Sequence, residues 1–139
     1  MKGRDFFDTN ILVYAFDTKD PRKQTIASNL LNQAIINESG ILSTQVMSEF
    51  YTVVTRIIKK PLSPQEALGL IDNLAVLPVQ EVDLDMVKRA IRISDRYTIS
   101  YWDSLIIAAA ERGECKRLIS EDLNNGQIYY DIVVYDPFG

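Results

Sequence analysis

The chain has 139 residues, of which 47% are hydrophobic and 24% are charged, and its formal net charge is −4 at pH 7. This length and composition fit one soluble globular domain over residues 1–139 with a core of its own. The negative charge argues against strong sequence-independent nucleic-acid binding. The single Cys excludes an intrachain disulfide, and the absence of His excludes a Cys/His catalytic pair.

Short apolar strands alternate with longer helical segments in the first half of the chain. Residues 4–7 are predicted to form a strand that ends at Asp8. A helix is predicted over 21–37, because Asp20 can cap it and Pro21 suits its first position. The remaining predicted elements of this half are a strand at 41–43, a helix at 44–60 that Pro61 ends, and a helix from 63 to about 73.

The second half repeats the alternation. We predict a strand at 78–82, a helix to about 97 that Asp83 or Asp85 caps, a helix at 101–112 after Ser100, and strands at 116–120 and 132–135. This order predicts an α/β domain with a mostly parallel sheet that is covered on both faces. Ligands of such sheets bind at the carboxyl ends of the strands, where Asp8 and Asp122 are expected.

Four acidic residues stand out by their local contexts, namely Asp8 in FFDTN, Glu49 in MSEFY, Asp103 in YWDSL and Asp122 in SEDLN. If the fold brings them together, they repel each other unless protons or cations neutralise them. Oxygen ligands without nitrogen or thiolate ligands favour Mg²⁺ or Mn²⁺. The pattern indicates a metal-dependent enzyme that acts on phosphate esters.

Each acid also fits an ordinary structural role that the sequence leaves open. Asp8 could cap a helix or form an Asx-turn, and Glu49 could lie at the edge of an apolar helix face with its carboxylate in water. Asp103 stands three residues after Ser100, which is capping-box spacing, at the positive end of a helix dipole. Asp122 precedes an Asn-Asn-Gly turn and could be a solvated loop acid.

Taken together and in order, these contexts resemble a PIN domain, most closely the VapC-type toxin ribonucleases of toxin–antitoxin modules. The resemblance spans essentially the whole chain. It rests on DTNILVYA from Asp8, SEFY from Ser48, WDSLI from Trp102, LISEDL from Leu118 and a closing DPF where the family usually has Asn-Pro-Phe. It implies a three-layer α/β/α fold and Mg²⁺- or Mn²⁺-dependent cleavage of RNA.

The resemblance also assigns roles to individual positions. The family's four acids fall on Asp8, Glu49, Asp103 and Asp122, with the first three expected to hold one metal and Asp122 a second metal or a bridging water. Its supporting positions fall on Thr9, Asn10 and Ser120, of which Asn10 and Ser120 would orient the ligands. A divalent metal would activate the attacking water and stabilise the leaving oxygen.

The partners implied by the resemblance are an RNA substrate, a small antitoxin whose C-terminal segment covers the acidic pocket, and a second copy in a homodimer. The apolar Ile26, Leu30, Ile57 and Ile58 could form such surfaces or belong to the core. Candidate RNA-contacting cations are Arg22, Lys23, Arg56, Lys59, Lys60, Arg89, Arg92 and Arg96. No apolar run approaches the ~20 residues of a membrane span, and no signal peptide is evident, so we expect a cytoplasmic protein.

Three other interpretations compete with this one. A haloacid-dehalogenase-type phosphatase needs D-x-D after its first strand, and the second acid is replaced here by Asn10. A receiver domain needs an acidic pair near the first strand, for which Asp5 and Asp8 are poorly spaced, and Asp83 lacks the context of a phospho-acceptor. The third is a non-catalytic PIN-fold module that binds RNA or protein.

Overall fold

A computed structural model describes residues 3–139, which form six strands and six helices. The strands are β1 (Arg4–Phe7), β2 (Gly40–Ser43), β3 (Val79–Gln80), β4 (Cys115–Ile119), β5 (Ile128–Tyr129) and β6 (Ile132–Tyr135). The helices are α1 (Thr9–Phe16), α2 (Pro21–Ile36), α3 (Thr44–Arg56), α4 (Pro64–Leu74), α5 (Leu84–Tyr97) and α6 (Tyr101–Arg112).

All six strands belong to one sheet with the order β3-β2-β1-β4-β6-β5. Every neighbouring pair is parallel except β5 and β6, which form an antiparallel hairpin. Phe6 in the middle of β1 is fully buried between Ile41 of β2 and Leu118 of β4. Such apolar central strands are typical of a sheet that is covered on both faces. The predicted three-layer α/β/α class with a mostly parallel sheet is confirmed.

Most helix boundaries follow the predicted caps. The Asp20 side chain accepts a hydrogen bond from Lys23 N at the start of α2, and Asp83, not Asp85, caps α5 by accepting from Met86 N at 2.9 Å. α3 ends at Arg56, four residues before the predicted end at 60. The helical hydrogen-bond pattern ends there, because the amides of Ile57 and Ile58 both donate to the same Val53 carbonyl.

Two elements were not predicted. The eight-residue helix α1 follows Asp8 directly and buries Ile11, Leu12 and Ala15. Its sequence is apolar almost throughout, so no helical period distinguishes it from a strand. The two-residue strand β5 is too short to show a pattern, and β3 is likewise shorter than its predicted range of 78–82.

No helix in the described part of the chain has the length and apolar character that crossing a bilayer requires.

Candidate active site

The carboxyl ends of β1 and β4 place Asp8 beside Ser120. The Asp8 amide donates to the Ile119 carbonyl at 3.0 Å, which continues the strand ladder. The Ser120 hydroxyl then donates to Asp8 Oδ2 at 2.7 Å, while Asp8 Oδ1 accepts from the Thr9 amide at 2.7 Å as the N-cap of α1. Asp8 is therefore the N-cap of α1, which is one of the roles that the sequence left open. Its second oxygen, Oδ2, faces the Ser120 hydroxyl at the end of β4.

Asp8 is a buried carboxyl group in an unfavourable electrostatic position. Only 9% of its surface is exposed, and its pKa is raised from 3.8 to about 6. Burial is the main cause, because it penalises the charged form, and the hydrogen bonds from Ser120 and Thr9 offset it only in part. The charges of Asp122 and Glu49 raise the pKa further, so these acids lie within electrostatic reach of Asp8.

Two side chains at the start of α1 connect Asp8 to the other acids. Asn10 Nδ2 donates to Asp122 Oδ2 at 3.0 Å and lies 3.4 Å from Asp8 Oδ2. Thr9 Oγ1 donates to Glu49 Oε1 at 2.8 Å. Two of the three supporting residues that the resemblance singled out, Thr9 and Asn10, thus bridge from α1 to Glu49 and Asp122.

Asp103 occupies the first turn of α6 and is not part of this network. Its amide donates to Ser100 Oγ at 3.0 Å, but the return bond of a capping box is not formed. By contrast, a complete capping box is formed at the start of α4, where Ser63 and Glu66 each accept a hydrogen bond from the other's backbone amide. Within residues 3–139 the Asp103 carboxylate accepts no hydrogen bond. The pKa of Tyr129 is raised mainly by burial, and the charge of Asp103 adds to this effect.

Among the residues that the structure describes, no group of three acids is placed so that it could hold a metal ion as it stands. The donor set nevertheless suits a hard divalent cation, because it consists of carboxylate oxygens. A buried carboxylate with a raised pKa next to two more acids is a place where a cation would relieve repulsion.

A second polar cluster fixes the residue next to Asp122. Lys23 Nζ lies 2.6 Å from Glu121 Oε2, and the Tyr14 hydroxyl donates to Glu121 Oε1 at 3.0 Å. Lys23 also lies over the rings of Tyr14 and Phe138, at 4.7 and 5.1 Å from their centroids. This cluster ties α1, α2 and the C-terminal segment to the loop that carries Asp122.

Sequence reasoning missed the roles of Tyr14 and Glu121. The signal was present, because Tyr14 follows Asn10 by four residues, and these positions share one face of a helix. The Glu121 amide donates to Asn10 Oδ1 at 3.2 Å, so both residues of that face contact the same loop. The signal was lost because α1 itself was not predicted.

Several predicted RNA-contacting cations are engaged within the protein. Lys23 pairs with Glu121 as described, and Arg22 donates to the Phe138 carbonyl at 2.9 Å. Arg89 forms two 2.8 Å bonds with Glu111, and both Arg89 and Arg96 stack on the Tyr130 ring. Of the eight candidates, and within the described chain, those with no ion pair, no side-chain hydrogen bond and no ring contact are Arg56, Lys59, Lys60 and Arg92.

A family model described as PIN domain matches residues 6–128. A comparison with curated proteins found no match.

Similar solved structures come from several bacteria. The toxin VapC20 of Mycobacterium tuberculosis, described as cleaving the sarcin-ricin loop, has a TM-score of 0.64 at 18% identity, over 82% of this chain and 86% of that one. A toxin–antitoxin complex from Klebsiella pneumoniae has a TM-score of 0.68 at 18% identity, over 96% and 97%. DNA-bound VapBC from Salmonella typhimurium has a TM-score of 0.69 at 15% identity, over 98% and 99%. At these identities the likeness establishes the fold.

Proposed function

Since this chain belongs to the PIN domain family, we propose that it is a metal-dependent endoribonuclease and the toxin of a type II toxin–antitoxin system. The observation that carries the proposal is the buried Asp8 carboxylate with its pKa of about 6. It lies at the carboxyl ends of the central strands, and Asn10 and Thr9 connect it to Asp122 and Glu49. A strongly perturbed acid beside other acids is a common mark of a catalytic site.

In this proposal the metal is Mg²⁺ or Mn²⁺, and its ligands come from Asp8, Glu49, Asp103 and Asp122. These carboxylates would hold the metal, whose chemistry when bound would be to lower the pKa of a water molecule and to stabilise the leaving oxygen of the phosphodiester. The chain's own contribution is to place the ligands. Ser120 and the Thr9 amide hold the Asp8 carboxylate in one orientation, Thr9 Oγ1 holds Glu49, and Asn10 holds Asp122.

The toxin assignment rests on what the similar structures are. VapC20 is described as a toxin that cleaves the sarcin-ricin loop, and two others are described as toxin–antitoxin or VapBC complexes. We therefore propose an RNA substrate, a small antitoxin as partner and action in the cytoplasm. A homodimer is also proposed. Ile57 is exposed and available to a partner, whereas Ile26, Leu30 and Ile58 pack partly against the core.

The test is RNA cleavage by the purified protein with Mg²⁺, with Mn²⁺ and with EDTA. Asp8→Asn and Asp103→Asn should each lower the rate by 100-fold or more, on the order of what loss of one site group costs. Asp95→Asn makes the same change at an exposed acid of α5 outside the network and should cleave like the wild type. Cleavage that survives EDTA and both site variants would come from a contaminant. The assignment is refuted if no cleavage depends on both the metal and the site residues.

One observation favours a non-catalytic binding module instead, namely that no three acids of the described chain are placed to hold a metal. The two functions differ in the effect of Asp8→Asn. In a module, this change leaves RNA or protein binding intact or improves it, and the wild type cleaves none of the RNAs with either metal. In an enzyme, the same change abolishes turnover.

A further inference from the structure

The indole of Trp102 is exposed near Glu49 of the candidate site. Trp102 directly precedes Asp103 in α6, and 64% of its surface is accessible, although large aromatic residues are usually well buried. It is held in place nonetheless. The Tyr101 ring packs edge-on against it at 5.1 Å, and Gln45 Nε2 donates to the Trp102 carbonyl at 3.2 Å.

A depression of about 340 Å³ lies against this indole, and Glu49 forms part of its wall. The same Glu49 accepts the hydrogen bond from Thr9 that connects it to the Asp8 site. The depression therefore adjoins the proposed cleavage centre. Its lining residues are Thr44, Gln45, Ser48, Glu49, Val82, Trp102 and Leu105.

The chemistry of the lining indicates what would fill the depression. It contains one carboxylate and no Lys or Arg, so it does not suit a phosphate group. It contains an accessible indole and the apolar side chains of Val82 and Leu105, so it suits a flat, uncharged ring. Stacking on an aromatic side chain is a usual way for proteins to hold an unpaired base.

Gln45 adds a separate observation. Its amide nitrogen is directed at the Trp102 carbonyl, which leaves Oε1 as the free acceptor, and this oxygen is buried without a hydrogen-bond partner in the described residues. Buried acceptors are normally paired. Gln45 lines the depression, and every nucleobase carries an N–H donor on its edge, which is the kind of group that this oxygen lacks.

We infer that this depression is a nucleobase subsite, in which an unpaired base of the RNA substrate stacks on Trp102 next to the scissile phosphodiester. The inference rests on the proposed function, since it takes the substrate to be RNA. It adds that the substrate presents a base outside a helix, because a base inside a duplex has no free face to offer.

Trp102 is the only Trp of the chain, so its fluorescence reports on this subsite alone. The first experiment titrates the wild-type protein in EDTA with a hexamer of adenylate and with a hexamer of abasic ribose phosphate. We expect saturable quenching by the adenylate chain and none by the abasic chain. Equal quenching by both would assign the contact to the backbone and would overturn the inference.

Variants are compared by the anisotropy of a labelled adenylate hexamer. Trp102→Ala should weaken binding about 10- to 100-fold, as expected for loss of one stacked base, and Trp102→Phe should restore part of it. Tyr51→Ala removes an exposed aromatic side chain that does not line the depression, and it should bind like the wild type. Equal affinity of Trp102→Ala and wild type would overturn the inference.

Cleavage assays separate this inference from the proposed function. If the wild type cleaves RNA and Trp102→Ala cleaves it with unchanged kcat/KM, the subsite is wrong and the nuclease assignment stands. If base-dependent quenching occurs but no RNA is cleaved with either metal, the subsite stands and the nuclease assignment fails. If a peptide segment protects Trp102 from iodide quenching and the adenylate hexamer does not, the depression binds protein, and the inference is refuted.

Discussion

Replacing Asp8 by Asn should stabilise the metal-free protein while it abolishes activity. The folded protein holds Asp8 with a pKa of about 6, against its ordinary value of 3.8. At 1.36 kcal/mol per pKa unit, ionised Asp8 costs about 3 kcal/mol of folding free energy at neutral pH. Asn carries no charge and is an equally good N-cap, so the variant should regain up to this amount.

The pH dependence follows from the direction of the pKa change. Because the pKa is higher in the folded state, the favourable contribution of Asp8 is complete below pH 3.8 and is lost as the pH rises through about 6. The gain from Asp8→Asn should therefore be largest above pH 7 and should shrink toward zero near pH 4, where Asp8 is protonated in the folded wild type.

Urea denaturation in EDTA at pH 8 and at pH 4 measures both quantities. Asp20→Asn serves as the control, because it makes the same change at the N-cap of α2 and should alter the free energy of unfolding by only a few tenths of a kcal/mol. An Asp8→Asn protein that is less stable than the wild type at pH 8, or equally stabilised at both pH values, would refute the reasoning.

Three further predictions concern the surroundings of the site. Ser120→Ala removes a hydrogen bond that lowers the pKa of Asp8, so the pH at which Mn²⁺ binding is half-maximal should rise. Calorimetry across a pH series measures this pH, and an unchanged value would contradict the prediction. Lys23→Met leaves Glu121 without its cation and should lower kcat on the order of tenfold with little change in KM. Lys23→Arg keeps the positive charge and should restore most of the lost kcat. An equal loss of kcat in both variants would indicate a merely structural role. Phe138→Ala should reduce the free energy of unfolding by about 3 kcal/mol or more, because this buried ring packs on the cation of Lys23. Urea denaturation measures the loss, and a value under 1 kcal/mol would count against that packing.

The sequence was sufficient to predict the sheet and most helices, because caps and breakers are local signals. Asp20-Pro21 and Ser63-Pro64 mark helix starts through the chemistry of one turn, and the structure places α2 and α4 there. The helix α1 could not be predicted in this way. Only Ile11, Leu12 and Ala15 of this helix are buried, but its less buried residues after Asn10 are apolar as well, so the sequence shows no amphipathic period.

The sequence supplied candidate residues for the site, which remain predictions, but not the hydrogen bonds that connect them. Asp8 and Asp122 were placed by a topological rule, since they follow neighbouring parallel strands. The bridging roles of Thr9 and Asn10 came only through family resemblance, and which acid each one contacts depends on how α1 packs. Asp103 forms only a local backbone bond to Ser100, and where its carboxylate lies relative to the other acids depends on tertiary packing that no local pattern specifies.

The position of β1 in the middle of the sheet has a consequence for synthesis on the ribosome. The bonds from Ser120 to Asp8 and from Asn10 to Asp122 each span 112 residues of sequence. At ~5–20 residues per second, β4 and its loop follow Asp8 after roughly 6 to 22 seconds of translation. A fragment that ends between Glu49 and β4 carries Asp8 and Glu49 but neither of these partners. The proposed activity would therefore require a chain whose synthesis has passed Asp122.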